Sequence, residues 1–87
     1  MAKGKTKSGF EFDVPDEVMN DMELFEALCD ADAGDYSAAV PICRKILGGQ
    51  KTALYDHLRT EDGRVPVDKV FTEITEIIEA VKNGKKS

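Results

Sequence analysis

Few residues of this chain belong to the types that do chemistry, and their spacing limits what each can do. His57 is the sole histidine, and it directly follows Asp56. Neighbours on a helix point away from each other, so this pair makes no acid–base dyad, and no serine or cysteine motif stands beside it in sequence. Asp30, Asp32, Gly34 and Asp35 invite comparison with a calcium loop. Such a loop needs glycine at its sixth position and a bidentate glutamate at its twelfth; counted from Asp30, those places hold Asp35 and Pro41. Cys29 and Cys43 are not a close pair, and each is flanked by apolar helical positions. That setting predicts two reduced core thiols rather than a disulfide or a metal site. With no glycine-rich phosphate loop, ligand cluster or paired carboxylates, the sequence predicts no enzyme, no metal and no cofactor.

What remains is binding chemistry. Glu23, Glu26 and Asp30 recur at steps of three and four, which gives a helix one acidic face. Such a face is either ordinary solvated surface or a dock for a basic partner segment. Phe10, Phe12 and Val14 alternate with Glu11 and Asp13, the period of a half-buried strand. No second strand is evident, so this segment is expected to pack as an extended arm on the helices, or to pair with another chain. Glu23, Glu26, Asp30, Phe10 and Phe12 are therefore the candidate partner-binding residues.

The elements that position these residues are mostly helical. Between Pro66 and Asn83, the apolar residues Val67, Val70, Phe71, Ile74, Ile77, Ile78 and Val81 recur at three and four. Phe71, Ile74 and Ile78 are expected to be the most buried, with Lys69, Glu73, Glu76 and Lys82 on the solvent side. A first helix is expected over about Asp21 to Asp32, capped by Asn20 and buried through Val18, Met22, Phe25, Leu28 and Cys29. Gly34 ends it, and Asp35 or Ser37 caps a second helix carrying Val40, Ile42, Cys43, Ile46 and Leu47, which stops at Gly48 and Gly49. A third is expected from about Gln50 to Arg59, with Leu54, Tyr55 and Leu58 inward. The fold class is mainly α: a small single-domain bundle of about four helices with a short extended N-terminal arm. Residues 1–8 are expected to be a disordered basic tail, 9–83 the helical domain and 84–87 a flexible basic tail.

Length and charge narrow the partners. A chain of 87 residues is one domain. At this size folding buries only about 60% of the surface, so stability is marginal without a partner or a second copy. Lys3, Lys5, Lys7, Lys82, Lys85 and Lys86 lie near the ends, which leaves six of the 12 basic residues among all 17 acidic ones in between. Nucleic-acid binding relies on phosphate neutralisation, so an acidic centre predicts no nucleic-acid partner. No apolar run is long enough for a membrane span and the N-terminus lacks the apolar middle of a secretion signal, so a soluble intracellular protein is expected.

The stretch GFEFDVPDEVMNDMELFEALCDAD, followed after a gap by LYDHLRTEDGRVPVDKVFTEITEIIEAVK, resembles the small tail assembly chaperones of long-tailed phages and prophages of Gram-positive bacteria. The resemblance covers most of residues 9 to 82, and its most particular piece is HLRTEDGRVPVDKV. It implies a short, helical, acidic protein of the bacterial cytoplasm. Such a protein binds the tape measure protein and keeps it soluble until tail tube subunits assemble round it. The tail tube protein and a second copy of the chain are further partners on this reading. No residue carries over as a contact, and Cys29, Cys43 and the basic tails have no match in the family's pattern. Members are often made in two forms by ribosomal slippage near the end of the short gene, and Lys85 and Lys86 stand where a slip site would be needed. The alternatives are a phage or prophage interaction module without a chaperone role, and an acidic DNA mimic suggested by the central charge.

Overall fold

Two strands and four helical segments follow one another in the computed structural model, which describes residues 2–84. Strand β1, Ala2–Lys5, pairs antiparallel with β2, Glu11–Val14. The expectation of a disordered tail over residues 1–8 is thus corrected over the described part, as is the expectation of a lone arm. AKGK carries no apolar alternation of its own; its extended form comes from pairing with β2. Gly4 lies opposite Phe12, whose ring covers it so closely that a Cβ there would sit 2.9 Å from the ring's Cζ. Only glycine leaves that room. The connecting turn closes where the Gly9 N–H donates to the Thr6 carbonyl at 2.9 Å, with Gly9 at a φ of 97°. In β2 the expected alternation holds: Phe12 and Val14 are buried, while Glu11 and Asp13 are exposed.

Helix α1 spans Met22–Asp32. Its cap is Asp21 rather than Asn20, with Oδ1 accepting from the Glu23 and Leu24 N–H groups. Its buried stripe is Leu24 and Ala27, with Leu28 and Ala31 packed against the core, whereas Met22, Phe25 and Cys29 are exposed. Of the residues expected to be buried, Val18 and Leu28 do pack against the core, but Met22, Phe25 and Cys29 do not, and the centre of the buried stripe lies about a third of a turn from the expected one. Small Ala27 and Ala31 let α1 lie close on its neighbours, and apolarity alone does not reveal that choice. Cys29, expected in the core, is at the surface; Cys43 is buried as expected.

After a single 3₁₀ turn at Tyr36–Ala38, α2 spans Ala39–Leu47 and α3 spans Lys51–Leu58. Only another 3₁₀ turn, Gly48–Gln50, separates them. With no longer linker between them they count as one interrupted unit, so the bundle is nearer to three helical units than to the four expected. Gly48, at a φ of 54°, makes the break. Ile42, Cys43, Ile46, Leu47 and Leu54 point inward, but Val40 is exposed.

Helix α4, Val67–Gly84, crosses the back of the hairpin and α3. Its most buried residues are Ile77 and Val81, followed by Ile74 and Val70, while Phe71 and Ile78 are only half-buried. Glu73, expected in solvent beside Lys69, is only 4% exposed. The helix is turned so that its Val70–Ile77–Val81 line meets the core, and the hairpin then covers the side that carries Glu73. Lys85 and Lys86, with most of the expected tail 84–87, lie outside the described residues. No helix among the described residues is long and apolar enough to cross a membrane.

Candidate functional site

Helix α1 packs on α2 and on the 3₁₀ turn at Tyr36–Ala38, whereas α4 packs on β1 and α3. Between α1 and α4 the structure leaves a groove of about 720 Å³. Its α4 wall is Val67, Phe71, Ile74 and Ile78, spaced by four, three and four residues, with Asp68 and Thr75 along the rim. Its α1 wall is Leu28 and Ala31 with Asp32 at the end, and Ile42 of α2 lies at the base. The groove is an open trough: Val67 is 55% exposed, and Tyr36 at its mouth is 74% exposed. The Tyr36 ring leans on Phe71, with centroids 5.8 Å apart.

Apolar surface continues on both sides of this trough. Tyr36 and Val67 also line a second hollow of about 450 Å³, which reaches Val40, Val65 and Tyr55. On α1, Phe25 precedes Leu28 by three residues and is 59% exposed, with Met22 and Cys29 on the same exposed stripe. A contiguous apolar surface of this kind on a small domain marks a place of contact with another molecule.

None of the five candidate residues lines the groove. Phe10 and Phe12 are core residues, and the Phe10 ring packs against His57 with centroids 5.8 Å apart. Glu26 and Asp30 are exposed on another side of α1. Glu23 is held within the chain: Lys45 Nζ lies 2.9 Å from its Oε1 and 3.1 Å from Asp21 Oδ2. That clasp lowers the Asp21 pKa, chiefly through the Lys45 hydrogen bond and next through the Leu24 N–H. It raises the Lys45 pKa, chiefly through Glu23 and then Asp21. The open edge of β2 is also partly closed. Gln50 accepts from the Asp13 N–H at 3.0 Å and donates to the Asp13 carbonyl at 2.7 Å, which occupies the two main-chain groups that Asp13 would offer a docking strand.

Tertiary structure brings a serine to the lone histidine, which sequence spacing did not foresee. His57 Nε2 lies 3.1 Å from Ser8 Oγ and 3.0 Å from the Ser8 carbonyl oxygen. A carbonyl only accepts, so Nε2 carries the proton in that contact and cannot at the same time take one from the hydroxyl. The pair fastens the hairpin turn to α3. Asp35, from the calcium-like stretch, instead accepts from the Ser37 N–H at 3.0 Å. Burial pushes the Cys43 thiol pKa up, with the Tyr55 hydroxyl as its hydrogen-bond neighbour.

The groove residues Val67, Phe71, Ile78 and Leu28 were legible as apolar but not as uncovered. Seven apolar positions on α4 span about 120° of its circumference, enough for two neighbours. Among the described residues, one side of that arc is fully covered and the other, at Val67, Phe71 and Ile78, only in part. Comparison with known proteins gives no match to a family model, a curated protein or a solved structure.

Proposed function

We infer that the chain is a protein-binding domain which takes one amphipathic helix of a partner into the groove between α1 and α4. The observation that carries this reading is the half-covered apolar stripe Val67, Phe71, Ile74 and Ile78, whose spacing suits a facing helix that presents its own side chains at three and four. The resemblance of residues 9 to 82 to the tail assembly chaperones supplies the specific partner, the tape measure protein. On this proposal the domain covers a helical segment of that long protein in the bacterial cytoplasm and keeps it soluble before the tail tube forms. Marginal stability at 87 residues favours a domain that gains by binding.

The test is association of the full chain with a helical fragment of a tape measure protein. Apolar contact predicts a complex that persists at about 0.5 M salt, where exposed charge pairs are screened. Val67→Glu, at an exposed groove position, should abolish binding while leaving the circular dichroism spectrum unchanged. Unaltered binding by this folded variant would remove the groove from the reading. Binding lost on adding salt would favour the acidic surface and, with it, the DNA-mimic alternative.

A further inference from the structure

The charged side chains that line the groove are all of one sign. They are Asp32, in the last turn of α1, and Asp68, in the first turn of α4. Asp21, Glu23, Asp56 and Asp62 pair with Lys45, Arg59 and Arg64. By contrast, among the described residues neither Asp32 nor Asp68 has an ion-pair partner. The backbone adds to the effect at Asp32. A helix C-terminus carries partial negative charge, and α1 has no basic residue in its last turn to offset it. Tyr36 ties this end of α1 to α4 through its ring contact with Phe71, three residues after Asp68. At Asp68 the partial positive charge of the α4 N-terminus offsets part of the carboxylate, so the negative charge at this end of the apolar trough is strongest at Asp32.

Resting on the reading that the groove takes a partner helix, we propose that its occupant is an amphipathic helix whose apolar stripe is flanked by lysine or arginine, and that Asp32 and Asp68 select it. The stripe fills the Phe71–Ile78 trough, and the basic flanks meet the two carboxylates at the rim. Long basic side chains suit this arrangement, because their methylene stems cover apolar surface while their charged ends reach the rim. A helix with the same stripe and acidic flanks meets like charge and is rejected.

The experiment uses the full chain and two designed peptides with one leucine stripe, the first flanked by lysines and the second by glutamates, with fluorescence anisotropy as readout. At about 0.05 M salt the lysine-flanked peptide should bind roughly five to tenfold tighter, the scale of two exposed rim pairs, and the gap should narrow at about 0.5 M. The double variant Asp32→Asn, Asp68→Asn should bind both peptides alike. Equal binding of the two peptides by the unaltered chain would overturn selection by charge and leave the helix-binding groove standing. Failure of both peptides to bind the folded chain would overturn the two readings together. A dimer in sedimentation that Val67→Glu breaks apart would give the groove to a second copy and likewise overturn the proposal.

Discussion

The Thr6 hydroxyl donates to Glu73 Oε1 at 2.6 Å, a buried contact between residues 67 positions apart. It fastens the N-terminal hairpin to α4, and the Lys7 N–H reinforces it by donating to Glu76 Oε1 at 2.8 Å. A carboxylate taken out of water is costly unless hydrogen-bonded, so α4 holds Glu73 there only while the hairpin is docked.

Thr6→Val leaves the Glu73 carboxylate without this donor and should cost about 1–3 kcal/mol. Glu73→Leu alone leaves the Thr6 hydroxyl with Ser8 Oγ, 3.2 Å away, and should cost less. The double variant should be more stable than the sum of the two losses allows, because neither the buried carboxylate nor its donor remains; the Phe10 N–H, which donates to Thr6 Oγ1 at 3.2 Å, loses its acceptor in both Thr6→Val proteins and so cancels in the cycle. Urea denaturation of all four proteins gives the coupling; strict additivity would show that the contact contributes nothing.

The two thiols should react at different rates. Cys29 is exposed and Cys43 is fully buried, with its thiol pKa raised by that burial. A thiol reagent at neutral pH should label one equivalent promptly and the second only on unfolding. Prompt labelling of both would mean that α2 is not packed as described.

Gln50 guards the edge of β2. Gln50→Ala should cost about 1 kcal/mol and speed exchange of the Asp13 amide, the group that Gln50 Oε1 accepts from. Amide exchange followed by NMR reads this directly, and an unchanged Asp13 rate would refute the closure. Self-association of the variant through the freed edge is the expected side effect.

Acid should loosen the start of α1. The Asp21 pKa lies below its ordinary value of 3.8 in the folded chain, chiefly because of Lys45. The stability it adds is therefore complete above that value and is lost as pH falls through the lower folded pKa. Asp21→Asn should flatten the acid limb of a stability-against-pH curve without erasing it. Asp62, lowered chiefly by the Thr60 hydroxyl, contributes in the same direction. An unchanged acid limb would show that the Lys45 clasp does not form in solution.

The sequence by itself determined where the helices run. Apolar spacing from Val67 to Val81, the Gly48–Gly49 break and the Pro66 entrance are local signals, and local signals need no knowledge of partners. The strand at Phe12 and Val14 was legible for the same reason. Tertiary structure alone decided which side of each amphipathic helix is covered. On α1, Ala27 and Ala31 win the core over Phe25 and Met22, because close approach of two backbones favours small side chains over apolar bulk. It also made a strand of AKGK, since β1 exists only through its register with β2 and the fit of Gly4 under the Phe12 ring. Glu73 shows the same dependence: helical period gave it no buried neighbour, and Thr6, at the far end of the chain, supplies one. The groove follows from the same limit. Periodicity reports that Phe71 and Ile78 are apolar, but whether anything covers them depends on where α1 lies, which no local pattern encodes.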